Sequence, residues 1–317
     1  MAYQTGDEIL DDHYNGFADD NTNNVNKILG TGNADFGYGQ TNTVDTVSAG
    51  NTVQASQWNT LLTRMRSIAD HQASGITTAD SGQLSAGDII AAIGTINADI
   101  TTLANNRLNA ASGNITVSND VTGTRTFTGS WTTNTIHEWK ATFASVDKAR
   151  FFFNAGGYIS WDGDLSGFTD REKTKDWENL LETRFGQFRL KAQTSSEDGN
   201  ATPATNNVNT GYYDLGTSYG VIFKMFGGQL TYDYYDANFL QIEAKTNGTA
   251  GDNAANGNEV SIKVTLSDAA ADDGASNTDQ VDGNLKSAWG IGKPNTNFLN
   301  ADVVGSITTA EVSQTQA

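Results

Sequence analysis

The sequence predicts an α+β protein. An N-terminal α-helical segment, either a helical hairpin or a short coiled coil, precedes a β-rich, antiparallel, sandwich-like C-terminal domain with a few helices. Three observations predict this. Apolar residues recur at helical spacing between residues 55 and 110, they alternate at strand spacing beyond residue 131, and polar stretches of Gly, Asn, Thr and Ser separate the two patterns. The chain has 317 residues, 33 glycines, 2 prolines and 9% aromatic residues, a composition of packed cores joined by long polar loops. The expected divisions are an attachment segment over 1–50, a helical segment over 51–112, a β-ribbon linker over 113–130 and the β-rich domain over 131–317.

The attachment segment opens with GDEILDDHYNGFADDNTNN, residues 6–24, in which five aspartates, a glutamate and His13 surround Ile9, Leu10, Tyr14 and Phe17. A calcium loop started at Asp19 keeps Asn21 and Asn23 in step. It then fails at Asn24, where the loop needs glycine, and at Gly30, where it needs a bidentate glutamate. Asp11 or Asp12 could pair with His13, but the chain has no G-x-S-x-G elbow, H-E-x-x-H helix or P-loop for such a pair to serve. The stretch therefore reads as a docking or packing anchor made by Ile9, Leu10, Tyr14 and Phe17, with solvated acids around it. The rest of residues 1–50 is sparse in apolar residues and needs contact with something else to be ordered.

Trp58, Leu61, Leu62, Met65, Ile68 and Ala69 form one stripe of an amphipathic helix over residues 55–71, with Ser56 or Thr52 as cap and His71 at the negative end of its dipole. A second helix is expected from about Ala86 to Ala110. In it Ile89, Ile93, Ile96, Ile100 and Leu103 step by 4, 3, 4 and 3 residues until Arg107 interrupts. This seam closes either an intramolecular hairpin or an intersubunit coiled coil, and isoleucine at both seam positions leans toward trimers.

In IHEWKATF, His137, Trp139, Ala141 and Phe143 share one parity and predict a half-buried strand. The pattern then predicts a short helix over SVDKARFFFNAGG, closed by Gly156 or Gly157, a strand YISW and a DGD turn. A helix capped by Thr169 and Glu172 follows, with Trp177, Leu180, Leu181 and Phe185 on one side and Gly186 as its stop. FRLKA, GVIFKMF, FLQIEAK and EVSIKVTL are strands, the last two joined by a polar hairpin loop. DVVGSIT is one more short strand, and the tail beyond it should fray or meet a partner.

The formal net charge of −18 argues against partners read through phosphates. The absence of cysteine removes disulfides, thiolate metal sites and cysteine nucleophiles, and His13, His71 and His137 lie far apart, so no cofactor is expected. No stretch approaches the roughly 20 apolar residues that span a bilayer. MAYQTGDEIL lacks the basic head and apolar run of a secretory signal, so no export by that route is expected. Tyr232, Asp233, Tyr234 and Asp236, with Tyr212, Tyr213, Tyr219, Tyr235, Asp214 and Asn238 nearby in sequence, offer either ordinary strand packing or a glycan surface where rings stack on sugars and carboxylates take hydroxyls. His137, on the apolar parity, reads as a core histidine.

The stretches YQTGDEILDDHYNGFA, ASQWNTLLTRMRSIADHQ, NNRLNA and above all KARFFFNAGGYISW resemble a group of tailed-bacteriophage virion structural proteins. The likeness is best over residues 1–20, 55–110 and 145–161 and carries over no functional residues. It implies a neck, collar, tail or fibre component, assembled in the host cytoplasm and resident in the virion. The expectation is a non-enzymatic homo-oligomer, a trimer by preference, in contact with other virion proteins and inserted in no membrane. The alternative is a receptor-binding fibre or spike for host polysaccharide, with or without depolymerase activity.

Overall fold

A computed structural model describes residues 11–78, 93–169, 171–197, 210–227, 235–248, 256–270 and 280–317. The chain is mixed α+β, helical toward its N-terminus and then built of two antiparallel sheets in a sandwich-like arrangement. It forms two compact units. Residues 1–116, 150–157 and 293–305 make the first, and residues 117–149, 158–292 and 306–317 make the second. The change of unit at 116 falls inside the stretch expected as a linker. The returns at 150–157 and 293–305 have no counterpart in the sequential division, because they are carried by contacts of high sequence separation that local patterning does not encode.

In the first unit, helix α1 (Asp11–Asn15) runs into a π-turn over Gly16–Asp20, followed by α2 (Val25–Leu29), the long α3 (Ala55–Gln72) and α4 (Ile93–Asn105). One apolar cluster joins them. It takes the whole α3 stripe, Val25, Ile28 and Leu29 from α2, and Ile96, Ile100, Leu103 and Ala104 from α4. The N-terminal cap of α3 is Gln54, whose backbone N–H donates to Gln57 Oε1 at 2.7 Å, in place of Ser56 or Thr52. Tyr38 locks α3 to α4, since its hydroxyl donates to the Arg107 carbonyl at 2.7 Å and accepts from Gln72 Nε2 at 2.7 Å.

Asparagine side chains explain how residues 11–54 are ordered with so few apolar residues. Asn15 donates to the Val47 carbonyl at 2.8 Å and accepts from the Val47 N–H at 2.7 Å. Asn26 grips Val44 in the same two-bond way, both bonds at 2.8 Å. A primary amide presents the donor and acceptor of one peptide group, so each asparagine replaces one rung of a β-ladder and lets an extended chain bury Val44 and Val47 without a partner strand. The "something else" that orders this segment includes the chain's own helices. Asn24 caps α2, accepting from Lys27 N–H at 2.7 Å, while its amide donates to the Asp19 and Asn21 carbonyls at 2.7 and 2.8 Å.

Among the described residues, the second unit holds ten strands in two five-stranded sheets. One has the order β1-β9-β3-β4-β5 and the other β10-β2-β8-β7-β6. Their ranges are β1 Ile115–Thr128, β2 Asn134–Phe143, β3 Tyr158–Ser166, β4 Gln187–Leu190, β5 Ser195–Glu197, β6 Gly220–Phe226, β7 Phe239–Thr246, β8 Glu259–Ser267, β9 Asn284–Pro294 and β10 Ile307–Gln316. Strict inward–outward alternation on β2 and β7 buries His137, Trp139, Ala141 and Phe143, and Leu240, Ile242 and Ala244. Trp139 of one sheet stacks on Trp289 of the other at 5.6 Å and 20°.

Helix α5 (Val146–Asn154) links β2 to β3 and is followed by Gly156 at φ +78°. Helix α6 (Glu172–Glu178) continues as a π-helix over Asn179–Phe185, stopped at Gly186 with φ +64°. It sends Phe185 between Trp161 and Phe223, at 5.5 and 5.3 Å. Two local expectations change. The DGD sequence is no turn but the continuation of β3, paired with β9 through Asp164↔Lys286. Thr169 does not cap α6, because its hydroxyl is hydrogen-bonded to Asp282.

Candidate functional site

Of the N-terminal anchor, Ile9 and Leu10 lie outside the described residues. Tyr14 and Phe17 are buried against α3, their rings 5.4 and 5.9 Å from that of Trp58. The Tyr14 hydroxyl reaches the Gln57 carbonyl at 3.3 Å, and burial, with Asp45 nearby, pushes its pKa up to about 12. Both rings therefore fill the core of their own chain and leave no apolar face at these two positions for an outside partner. Asp11 accepts from the Gly50 N–H at 3.2 Å, and Asp12 is exposed.

Of the isoleucine seam, Ile89 lies outside the described residues and Ile93 is the first residue of α4. Ile96, Ile100 and Leu103 are buried in the cluster that holds Trp58, Leu61 and Met65. These three side chains pack against α3 of their own chain.

Tyr232, Asp233 and Tyr234 lie outside the described residues, and Asp236 is exposed. Among their neighbours, Tyr212, Tyr213 and Tyr235 are buried, and the Tyr212 hydroxyl donates to the Gly257 carbonyl at 2.8 Å. Tyr219 is half-buried on the outward face of the second sheet. It bonds Glu138 there, with Lys245 and Lys263 over its ring at 4.3 and 4.8 Å. Lys140–Glu259 and Lys263–Glu243, each 2.7 Å, complete a ladder of paired charges across that face.

Both core histidines are buried. His71 is wholly buried; its Nε2 donates to the Ala155 carbonyl at 3.0 Å, and burial lowers its pKa to about 4. A neutral ring adds nothing to the helix dipole, so the expected end-of-helix role gives way to packing. His137 stands in a relay that superficially has the parts of a hydrolytic triad. Ser287 Oγ is 2.8 Å from Nδ1, and Glu311 Oε2 is 3.5 Å from Nε2. Yet Ser287 is 1% exposed, and its Oγ accepts a bond from Trp161 Nε1 at 2.6 Å. A sealed hydroxyl cannot reach a scissile bond. The Ser287 hydroxyl instead ties β9 to β3 and β2, and burial lowers the pKa of His137 against the pull of Glu311.

Two features missed by sequence reasoning stand out. Strand β10 pairs along its whole length with β2, from Ile307↔Phe143 to Gln316↔Thr135, with a bulge between Glu311 and Ser313. It ends its sheet, so its other backbone edge meets no described strand, and Val312 at the bulge is 48% exposed. The second feature is a cluster of buried charges at α6. Lys173 Nζ lies 3.1 Å from each oxygen of Asp268, and the two side chains are 2% and 1% exposed. Asp176, one helical turn on from Lys173, is also buried. No known family matches the chain, nor does any curated protein or solved structure.

Proposed function

We propose that this protein is a non-enzymatic structural subunit of a tailed-phage virion, a neck, collar, tail or fibre component that assembles with copies of itself and with other virion proteins. The likeness of its sequence stretches to such proteins supplies the setting. The observation that carries the assembly reading is β10, a ten-residue strand exposed along nearly its whole length at the end of a sheet. An open edge offers a row of unpaired N–H and C=O groups to another chain. Such edges are commonly blunted by lysine, proline, a bulge or an inward-turned charge; ITTAEVSQTQ has no lysine or proline, and its bulge and Glu311, beside His137, interrupt the edge at residues 311–313. The bulge leaves Ile307–Glu311 as the longest regular stretch for added pairing.

Sedimentation velocity of the full chain over a range of concentrations tests the reading. The expected result is a homo-oligomer that dissociates when Ala310→Lys and Val312→Lys place charges on the edge. A wild-type chain that stays monomeric at high concentration and binds no virion component overturns it. Glycan-array binding abolished by Tyr232→Ala or Tyr234→Ala would replace it with the receptor-binding alternative.

A further inference from the structure

We propose that Lys173 and Asp268 form an intramolecular amide cross-link between α6 and the end of β8, assisted by Asp176. Three observations meet at this point. The reacting atoms are in van der Waals range, with Nζ 3.1 Å from both carboxylate oxygens of Asp268. The pair is sealed from solvent, and Nζ stands 5.3 Å from the centre of the buried Tyr235 ring. A second buried carboxyl, Asp176, lies three residues along α6, on the helix face of Lys173, and lines a crevice with Trp177, Tyr235 and Asn238 that has no room for a water molecule.

A buried ion pair is costly because both charges lose hydration, and a reaction that removes both charges removes that cost. Transfer of a proton from the ammonium to the carboxylate leaves an amine and an acid. The nitrogen lone pair attacks Cγ of Asp268, forming the C–N bond. One carboxyl oxygen then departs with two protons as water as its C–O bond breaks, and no oxidant or reductant is needed. Asp176, three residues along α6, is the carboxyl to which the proposal gives the task of taking a proton from the attacking nitrogen and returning it to the departing oxygen. Fixed proximity supplies the effective concentration that free amines and acids lack.

Mass spectrometry of the denatured full chain reads the outcome. The wild type should fall below its sequence mass by one water, and trypsin should release a branched peptide joining Glu172–Lys175 to the peptide that begins at Val264. Lys173→Arg and Asp268→Ala should keep their full masses. In freshly refolded protein, Asp176→Asn should hold its full mass over the time in which the wild type converts. An unreduced wild-type mass overturns the proposal, as does a water loss that maps elsewhere, such as a succinimide at Asp162–Gly163 or Asp282–Gly283. Conversion of Asp176→Asn at the wild-type rate overturns the part given to Asp176.

Discussion

Phe17→Ala tests whether the N-terminal segment is held by its own chain. Phe17 is 2% exposed, in a cluster that also contains Tyr14, Val25 and Trp58. Truncating a buried phenylalanine to alanine costs about 3–5 kcal/mol, the spread reflecting how far the cavity collapses. Tight burial on several elements puts this site near the middle, about 4 kcal/mol. The tilted ring pair with Trp58, at 5.9 Å and 53°, should show in a double-mutant cycle with Trp58→Leu as a coupling of about 1 kcal/mol. Urea unfolding followed by circular dichroism reads both quantities, as a shift in midpoint at constant slope. A loss below about 1 kcal/mol, with no coupling, would mean that Phe17 adds no more than a surface residue and that its burial against α3 does not hold the segment.

Other perturbations have equally definite outcomes. The native state keeps His71 neutral down to about 4, while the unfolded chain takes up its proton near the ordinary 6.5. The contribution of His71 is therefore full above 6.5 and lost as the pH falls through that window, by about 3 kcal/mol in all, and unfolding measured at several pH values should flatten there in His71→Gln. Glu182 is exposed, but partial desolvation, a hydrogen bond with Asp164 and the nearby Glu178 and Asp162 raise its pKa, so its contribution is present in acid and lost as the pH rises. Glu182→Gln should raise the melting temperature at neutral pH, and the gain should vanish in acid. Gly39 has φ +72°, and a Cβ there would run into the Phe151 ring, so Gly39→Ala should cost about 2 kcal/mol or more in chemical denaturation. Ser287→Ala strands Trp161 Nε1 and His137 Nδ1 together and should cost about 2–4 kcal/mol, read the same way.

Where burial is one-sided, the pattern of residues carried the fold. Trp139 and Phe143 on β2, Leu240 and Ile242 on β7, and the α3 stripe all face the core that their spacing predicts. Strands β9 and β10 were not legible for opposite reasons. In β9 the alternation is broken at Gly290 and Gly292, and Gly292 needs its bare backbone because the Tyr158 ring lies against it. In β10 nearly every side chain is solvated, so ITTAEVSQTQ looks like a tail, and it is held by backbone bonds that leave no mark on composition. The asparagine clamps at Asn15 and Asn26 were hidden because a polar side chain gives no sign of which distant peptide it will match. The Lys173–Asp268 pair was equally hidden, since its partners are brought together by the fold across 95 residues of sequence.

The division of the chain into units bears on the order in which it leaves the ribosome. The first unit is complete only when residues 293–305 have emerged, after nearly all of the second has been made. At about 5–20 residues per second, helices α1 to α4 wait of order ten seconds or more for their last partners. The asparagine clamps, the Tyr38 lock and every member of the apolar cluster except Ala155 and Leu299 are encoded before residue 108, so they can hold the early segment together during that wait. A stalled or truncated chain would keep these local ties and lack Gln40's two bonds to Asn300, at 2.7 and 3.3 Å, so the C-terminal return acts as the closing latch of translation.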